Sequence, residues 1–233
     1  MTGSIWQVVL AAGLFVGLHI LLSSAPVRRP LAGAVGETLF PALYSVAVGL
    51  PFAWMLYAYG AAPHVVLWAP PMAFLHLPLG LMPFAFILLV GSVTVPNPNL
   101  VQVAGPAGQA GPGAPRGVLK ITRHPMMWAV GLYAVSHLLA RGDAASAALF
   151  GGLALLALLG TLHQDHRRRA QGPEWAAFLA QTSHVPFVAV VQGRTTLRFA
   201  DVGWGRILIG LALYGGMLYA HGWLFDANPM PLP

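Results

Sequence analysis

The sequence contains no cysteine in its 233 residues. That excludes disulfides, thiolate-ligated haem, Fe–S clusters and cysteine zinc sites, so any metal would be held by His, Met, carboxylate or Tyr. Charge is scarce as well. Asp, Glu, Lys and Arg together make up 8% of the chain, whereas soluble domains carry about a quarter. Only six residues are acidic against twelve basic, yet no basic face is interleaved with aromatics, so a nucleic-acid partner is set aside. There is no Gly-rich phosphate loop, no Ser-His-Asp order and no paired carboxylate within an apolar run. Hydrolase and proton-pump readings therefore start weak. No segment is long and polar enough to fold alone, which leaves one integral domain over residues 1–233.

Apolar material dominates: 57% of residues are hydrophobic and the mean hydropathy is +0.70. It falls in blocks of spanning length without strict alternation, the pattern of a polytopic, all-α membrane bundle rather than a barrel. Six spans are expected, at about 5–22, 38–59, 73–95, 125–140, 145–162 and 206–224. The fourth is short for a full crossing at about 16 residues. The first has no charged region before it, and Arg28-Arg29-Pro30 follow it where a cleavage site would fall, so it reads as a retained helix. Gly13 and Gly17 make a small-xxx-small pair that would admit a neighbouring helix. Residues 173–182 read as a short interfacial helix with Trp175, Phe178 and Leu179 on its apolar stripe.

Ten of the 22 residues from Pro96 to Gly117 are Pro or Gly, which marks a Pro/Gly-rich cytoplasmic loop at 96–117. With the N-terminus outside, eleven of the twelve basic residues fall inside and only Arg141 falls outside. Both termini are then expected outside, in the periplasm of a bacterial inner membrane if the host is bacterial.

The chemistry concentrates in KITRHPMMWAVGLYAVSHLLARGD, Lys120 to Asp143. Ionisable residues inside a span are costly and count as functional candidates. His19 and His137 are the deepest. Each reads either as a neutral imidazole bonded to a carbonyl or as an axial haem ligand. Tyr133 and Arg141 flank His137 at i−4 and i+4 and share its face; Arg141 would pair with Asp143 or with a haem propionate. His124 lies roughly 140° around a helix from His137. With Arg123 it reads as an anion or cofactor contact, or equally as a charge cluster anchoring the helix start. His163 and His166, beside Arg167, Arg168 and Arg169, read as a topology anchor or phosphate contact. Met126-Met127 reads as packing, and His64, His184 and His221 as bland.

The run ITRHPMMWAVGLYAVSHLLARGD resembles the signature of the NnrU family, which includes plant 15-cis-zeta-carotene isomerase. GLHILLSSAPVRRPL and DHRRRAQGPEWAAFLAQTSHVPFVAVVQGR extend the match in the same order. The resemblance implies haem b held by two histidines, matching His19 and His137. His19 lies near the inner end of its span and His137 near the outer end of a short one, so His76, towards the outer side, is the rival partner for His137 if a tilted fourth helix does not reconcile them. It implies either cis-trans isomerisation of an apolar, carotenoid-like substrate or a role in nitrogen-oxide metabolism (denitrification). A second resemblance, to isoprenylcysteine and phospholipid methyltransferases, rests on the RHP at 123–125 and the later GPEWAAF. It implies an S-adenosylmethionine site, although Gln164-Asp165 stand where that family has two Glu. A non-catalytic assembly factor for a nitric oxide or nitrite reductase is the third alternative. The partners expected are the lipid bilayer, an apolar small molecule and, under the third alternative, such a reductase.

Overall fold

The computed structural model describes residues 3–99, 112–170 and 172–230. Among these the regular elements are helical: α1 Ile5–Ser23, α2 Ala25–Val35, α3 Phe40–Ala61, α4 Met72–Leu75, α5 Leu77–Thr94, α6 Pro125–Arg141, α7 Ala144–Arg169, α8 Pro173–Gln181, α9 Val188–Val191, α10 Phe199–Val202 and α11 Trp204–Phe225, with a 3-10 turn at Gly117–Lys120. Five stretches are long and apolar enough to cross a membrane: α1, α3, α4 with α5, α7 and α11. The sixth expected span, α6, has 17 residues. Of the 96–117 loop, residues 100–111 lie outside the described residues.

The chain forms two compact units, Met1–Leu77 with Ala134–His163, and Pro78–Tyr133 with Gln164–Pro233. In the first unit α1 packs on α3 in antiparallel fashion. Phe15 meets Phe52 and His19 meets Tyr44, with ring centroids 5.2 and 5.5 Å apart. On α1 the buried stripe is Val8, Ala11, Ala12, Phe15 and Val16. Gly13 and Gly17, expected to admit a helix, instead face open space. The close approach occurs one position over, where a Cβ on Gly152 of α7 would lie 3.1 Å from Ala12 Cβ. Little apolar area is gained by hiding one helix from lipid, so tight backbone approach of this kind is what holds such helices together.

Helix α7 begins at a built cap. Asp143 accepts from the Ser146 N–H at 2.9 Å and from its hydroxyl at 2.7 Å, satisfying donors that a helix start leaves unpaired. The preceding Gly142 has φ +72°, and its carbonyl accepts the N–H groups of Leu67 and Trp68. Helix α2 was read from sequence as the exit of the first span. Its two Arg and two Pro break the apolar run without breaking the helix; Pro26 sits in the first turn, and Pro30 lies inside the helix.

In the second unit α5 and α11 cross antiparallel. Their contact is closest at Gly210, where an added Cβ would lie 2.9 Å from Ile87 Cα. Pro83 inside α5 cannot donate to the Leu79 carbonyl. The Tyr214 hydroxyl of α11 donates to it at 3.2 Å, so the neighbouring helix satisfies the group that the proline frees. Val118 of the 3-10 turn is fully buried against Gly91 of α5. On α11 only 6% of the spanning window is buried; Leu208, Ile209, Leu211 and Leu213 point outward, as lipid-facing residues do.

Candidate functional site

Two features of the second unit carry chemistry. The first is a buried polar cluster at the N-terminal end of α6. The Ile121 carbonyl accepts the Phe187 N–H, and the Arg123 N–H donates to the Ser183 carbonyl. The Thr122 hydroxyl donates to the His184 carbonyl at 2.7 Å, and Trp128 Nε1 donates to the same oxygen at 2.8 Å. These bonds fix residues 121–124 against 183–187. Pro125 opens the helix where a missing N–H costs nothing.

Asp165, near the end of α7, sits at the centre. Arg123 donates to it from two nitrogens, Nε to Oδ1 at 2.8 Å and Nη2 to Oδ2 at 2.5 Å. That is the bidentate geometry in which guanidinium and carboxylate bind most strongly. Arg123 Nη1 donates to the Thr182 carbonyl at 3.1 Å. His124 Nε2 lies 2.7 Å from Asp165 Oδ1, and its Nδ1 lies 3.2 Å from Gln164 Oε1. His184 Nδ1 is 3.7 Å from Asp165 Oδ2. Arg123, His124 and Asp165 are all buried, and His184 is half-buried. Burial holds the His184 imidazole below the usual histidine value.

The second feature is an apolar recess of about 190 Å³. Met82, Ala85, Phe86 and Leu89 of α5 line it together with Ala129, Val130 and Tyr133 of α6. Tyr133 brings the one hydroxyl of its lining. The volume suits a segment of an apolar chain.

The family model described as "NnrU protein" matches residues 7–229. The chain belongs to the NnrU family. This NnrU protein is also 32% identical over 82 residues to "15-cis-zeta-carotene isomerase, chloroplastic" of Arabidopsis thaliana. The matched stretch is 35% of this chain and 22% of that relative, so only a small part of the isomerase is represented. No solved structure matches the NnrU chain. Family and apolar helices together make it an integral membrane protein.

The histidines that the resemblance matches to haem ligands both lie in the first unit. His19 of α1 stands edge-on to Phe15 and Tyr44, and its buried Nδ1 has no hydrogen-bond partner among the described residues. That suits a ligand. His137 of α6 packs on Phe150, ring centroids 5.4 Å apart, with Ser136 Oγ 3.3 Å from its Nδ1. The register separates them. Ala12 faces Gly152, and Ser23 O lies 3.4 Å from His163 Nε2, so α1 and α7 run parallel and His19 stands level with Leu159. Phe150, on which His137 packs, lies nine residues back along α7, an axial offset of ~13 Å at 1.5 Å per residue. His19 and His137 therefore stand at different levels of the first unit. His76, the rival partner, is exposed at the start of α5, with Nδ1 2.8 Å from the Met72 carbonyl.

Arg141 faces Asp143 at 3.6 Å, the first of its two expected partners. Tyr133 lines the recess, whereas His137 and Arg141 belong to the other unit. Arg123 and His124 are turned inward onto Asp165. Arg168 stacks over Trp175 at 4.1 Å and donates to the Pro98 carbonyl, which ties α7, α8 and the start of the loop together. His184, read as bland, stands beside Asp165. The sequence signal for it is the polar break QTSHVP between two apolar stretches, and that alone names no partner.

Proposed function

We propose that this NnrU protein isomerises a cis double bond in an apolar, polyene-like molecule taken from the bilayer. The observation that carries the reading is the apolar recess on α5 and α6, in a chain 32% identical over 82 residues to a carotene isomerase. Such a recess holds a hydrocarbon segment by contact alone. Tyr133 puts a polar group and an aromatic face in the lining, against which a π-bond would pack. Expression in a bacterial host that accumulates 15-cis-zeta-carotene in the dark tests this. Conversion of the 15-cis isomer, lost when Val130→Phe fills the recess, supports the reading. Unchanged isomer composition with protein present in the membrane rejects it.

Methyl transfer is a second reading, favoured by one observation. Gln164-Asp165 do converge on Arg123-His124, as the methyltransferase resemblance requires of the residues at those places. Against it, Arg123 and His124 are both engaged by Asp165. Saturable binding of S-adenosylmethionine to the purified protein would restore it.

A further inference from the structure

We propose that His124, Asp165 and His184 form a binding site for one divalent transition-metal ion, in a two-histidine, one-carboxylate arrangement. The three offer one ligand atom each, and those atoms all lie within 4.8 Å of one another. Two ligands each ~2.1 Å from an ion stand roughly 3 to 4 Å apart. The His184 Nδ1 to Asp165 Oδ2 separation of 3.7 Å falls in that range, and it is too long for a hydrogen bond.

A second observation points the same way. His124 meets an acceptor at each ring nitrogen, Gln164 Oε1 at Nδ1 and Asp165 Oδ1 at Nε2. A neutral imidazole donates from one nitrogen only. With Nδ1–H given to Gln164, Nε2 turns a lone pair toward a carboxylate oxygen; an ion bound by both would relieve this only as their 2.7 Å separation opens toward the roughly 3 to 4 Å of shared ligands. Metal-bound histidines characteristically donate their other N–H to an oxygen in this way. The alternative is a proton on both nitrogens, and the experiment below separates the two.

Imidazole and carboxylate ligands in this ratio suit Fe²⁺, Co²⁺ or Zn²⁺. His184 is half-buried, so the ion would have one side open to a further ligand. Arg123 shares Asp165 and its charge opposes a cation, so binding is weaker than at an unpaired triad. His163 and His166 lack this geometry and belong to no such group among the described residues.

The test is Co²⁺ titration of full-length, tag-free protein in detergent, followed by visible d–d absorption, with Zn²⁺ as competitor. One saturable equivalent is expected in wild type and in His163→Ala, with affinity at least tenfold lower in His184→Ala. No saturable absorption in wild type overturns the proposal, as does equal affinity in His184→Ala. Should His184→Ala fail to fold, wild type alone decides. A melting temperature raised by Zn²⁺ and returned by EDTA supports the site, and one unmoved by Zn²⁺ refutes it in favour of the doubly protonated histidine.

Discussion

Replacing Asp165 with Asn probes the polar cluster most severely. The substitution keeps the volume but removes the charge against which Arg123 is buried; the two side chains are 10% and 9% exposed. It also weakens the contacts of His124 and His184. Breaking a buried ion pair by removing one partner costs about 3–5 kcal/mol, because the other charge stays buried without compensation. At 2–4 °C per kcal/mol for a chain of this size, melting should fall by on the order of 10 °C. The assay is thermal unfolding in detergent followed by tryptophan fluorescence. Trp128 is well placed to report, since it bonds the same His184 carbonyl as Thr122. The paired replacement Arg123→Met with Asp165→Leu leaves neither charge behind and should lose less than Asp165→Asn alone. A melting temperature for Asp165→Asn within about 2 °C of wild type would refute the reasoning, since it limits the loss to roughly 1 kcal/mol.

Gly142→Ala should be destabilising on two counts: the position has φ +72°, and an added Cβ would run into the Trp68 carbonyl. Its melting temperature should fall while that of Gly151→Ala, where the Cβ meets nothing, holds or rises. Asp201 reaches back to the Arg198 N–H at 2.8 Å and to Lys120 Nζ at 3.1 Å, and these bonds, the first most of all, hold its carboxyl below the usual value of 3.8. A carboxyl with a lowered value stabilises the fold when ionised. The melting difference between wild type and Asp201→Asn should therefore be constant at neutral pH and shrink as pH falls below 3.8; a difference that grows on acidification contradicts this. Tyr214→Phe, leaving the Leu79 carbonyl unpaired beside Pro83, should cost about 1 kcal/mol in a chemical or thermal unfolding series.

The membrane class and the helix positions were legible from hydropathy because long apolar runs leave few alternatives. Helix α1 at Ile5–Ser23 and α11 at Trp204–Phe225 fall within a few residues of their expected bounds. Helix α7 runs on to Arg169, past the end of its apolar run, because a helix leaving the hydrocarbon gains a polar face at no cost to its backbone bonds. Helix α2 was hidden by its arginines and prolines. Gly13 and Gly17 satisfied a spacing rule without forming a contact, since a pair of small residues permits close approach but cannot say which face of α1 is used. Arg123 and His124 stood out by their rarity in an apolar chain. Their partners Asp165 and His184 lie 42 and 60 positions further along, and no local pattern links them. The separation in depth of His19 and His137 was foreshadowed by their places near opposite ends of their spans, and the contacts of α1 and α6 with α7 give it a size.

The most direct measurement is the isomer composition of carotene extracted in the dark from cells that accumulate 15-cis-zeta-carotene and express this NnrU protein. The account predicts that the 15-cis isomer is depleted in favour of its trans-configured counterpart, and that Val130→Phe, present at wild-type level in the membrane, abolishes the change. An unaltered 15-cis isomer with abundant wild-type protein, or full conversion by Val130→Phe, would contradict it.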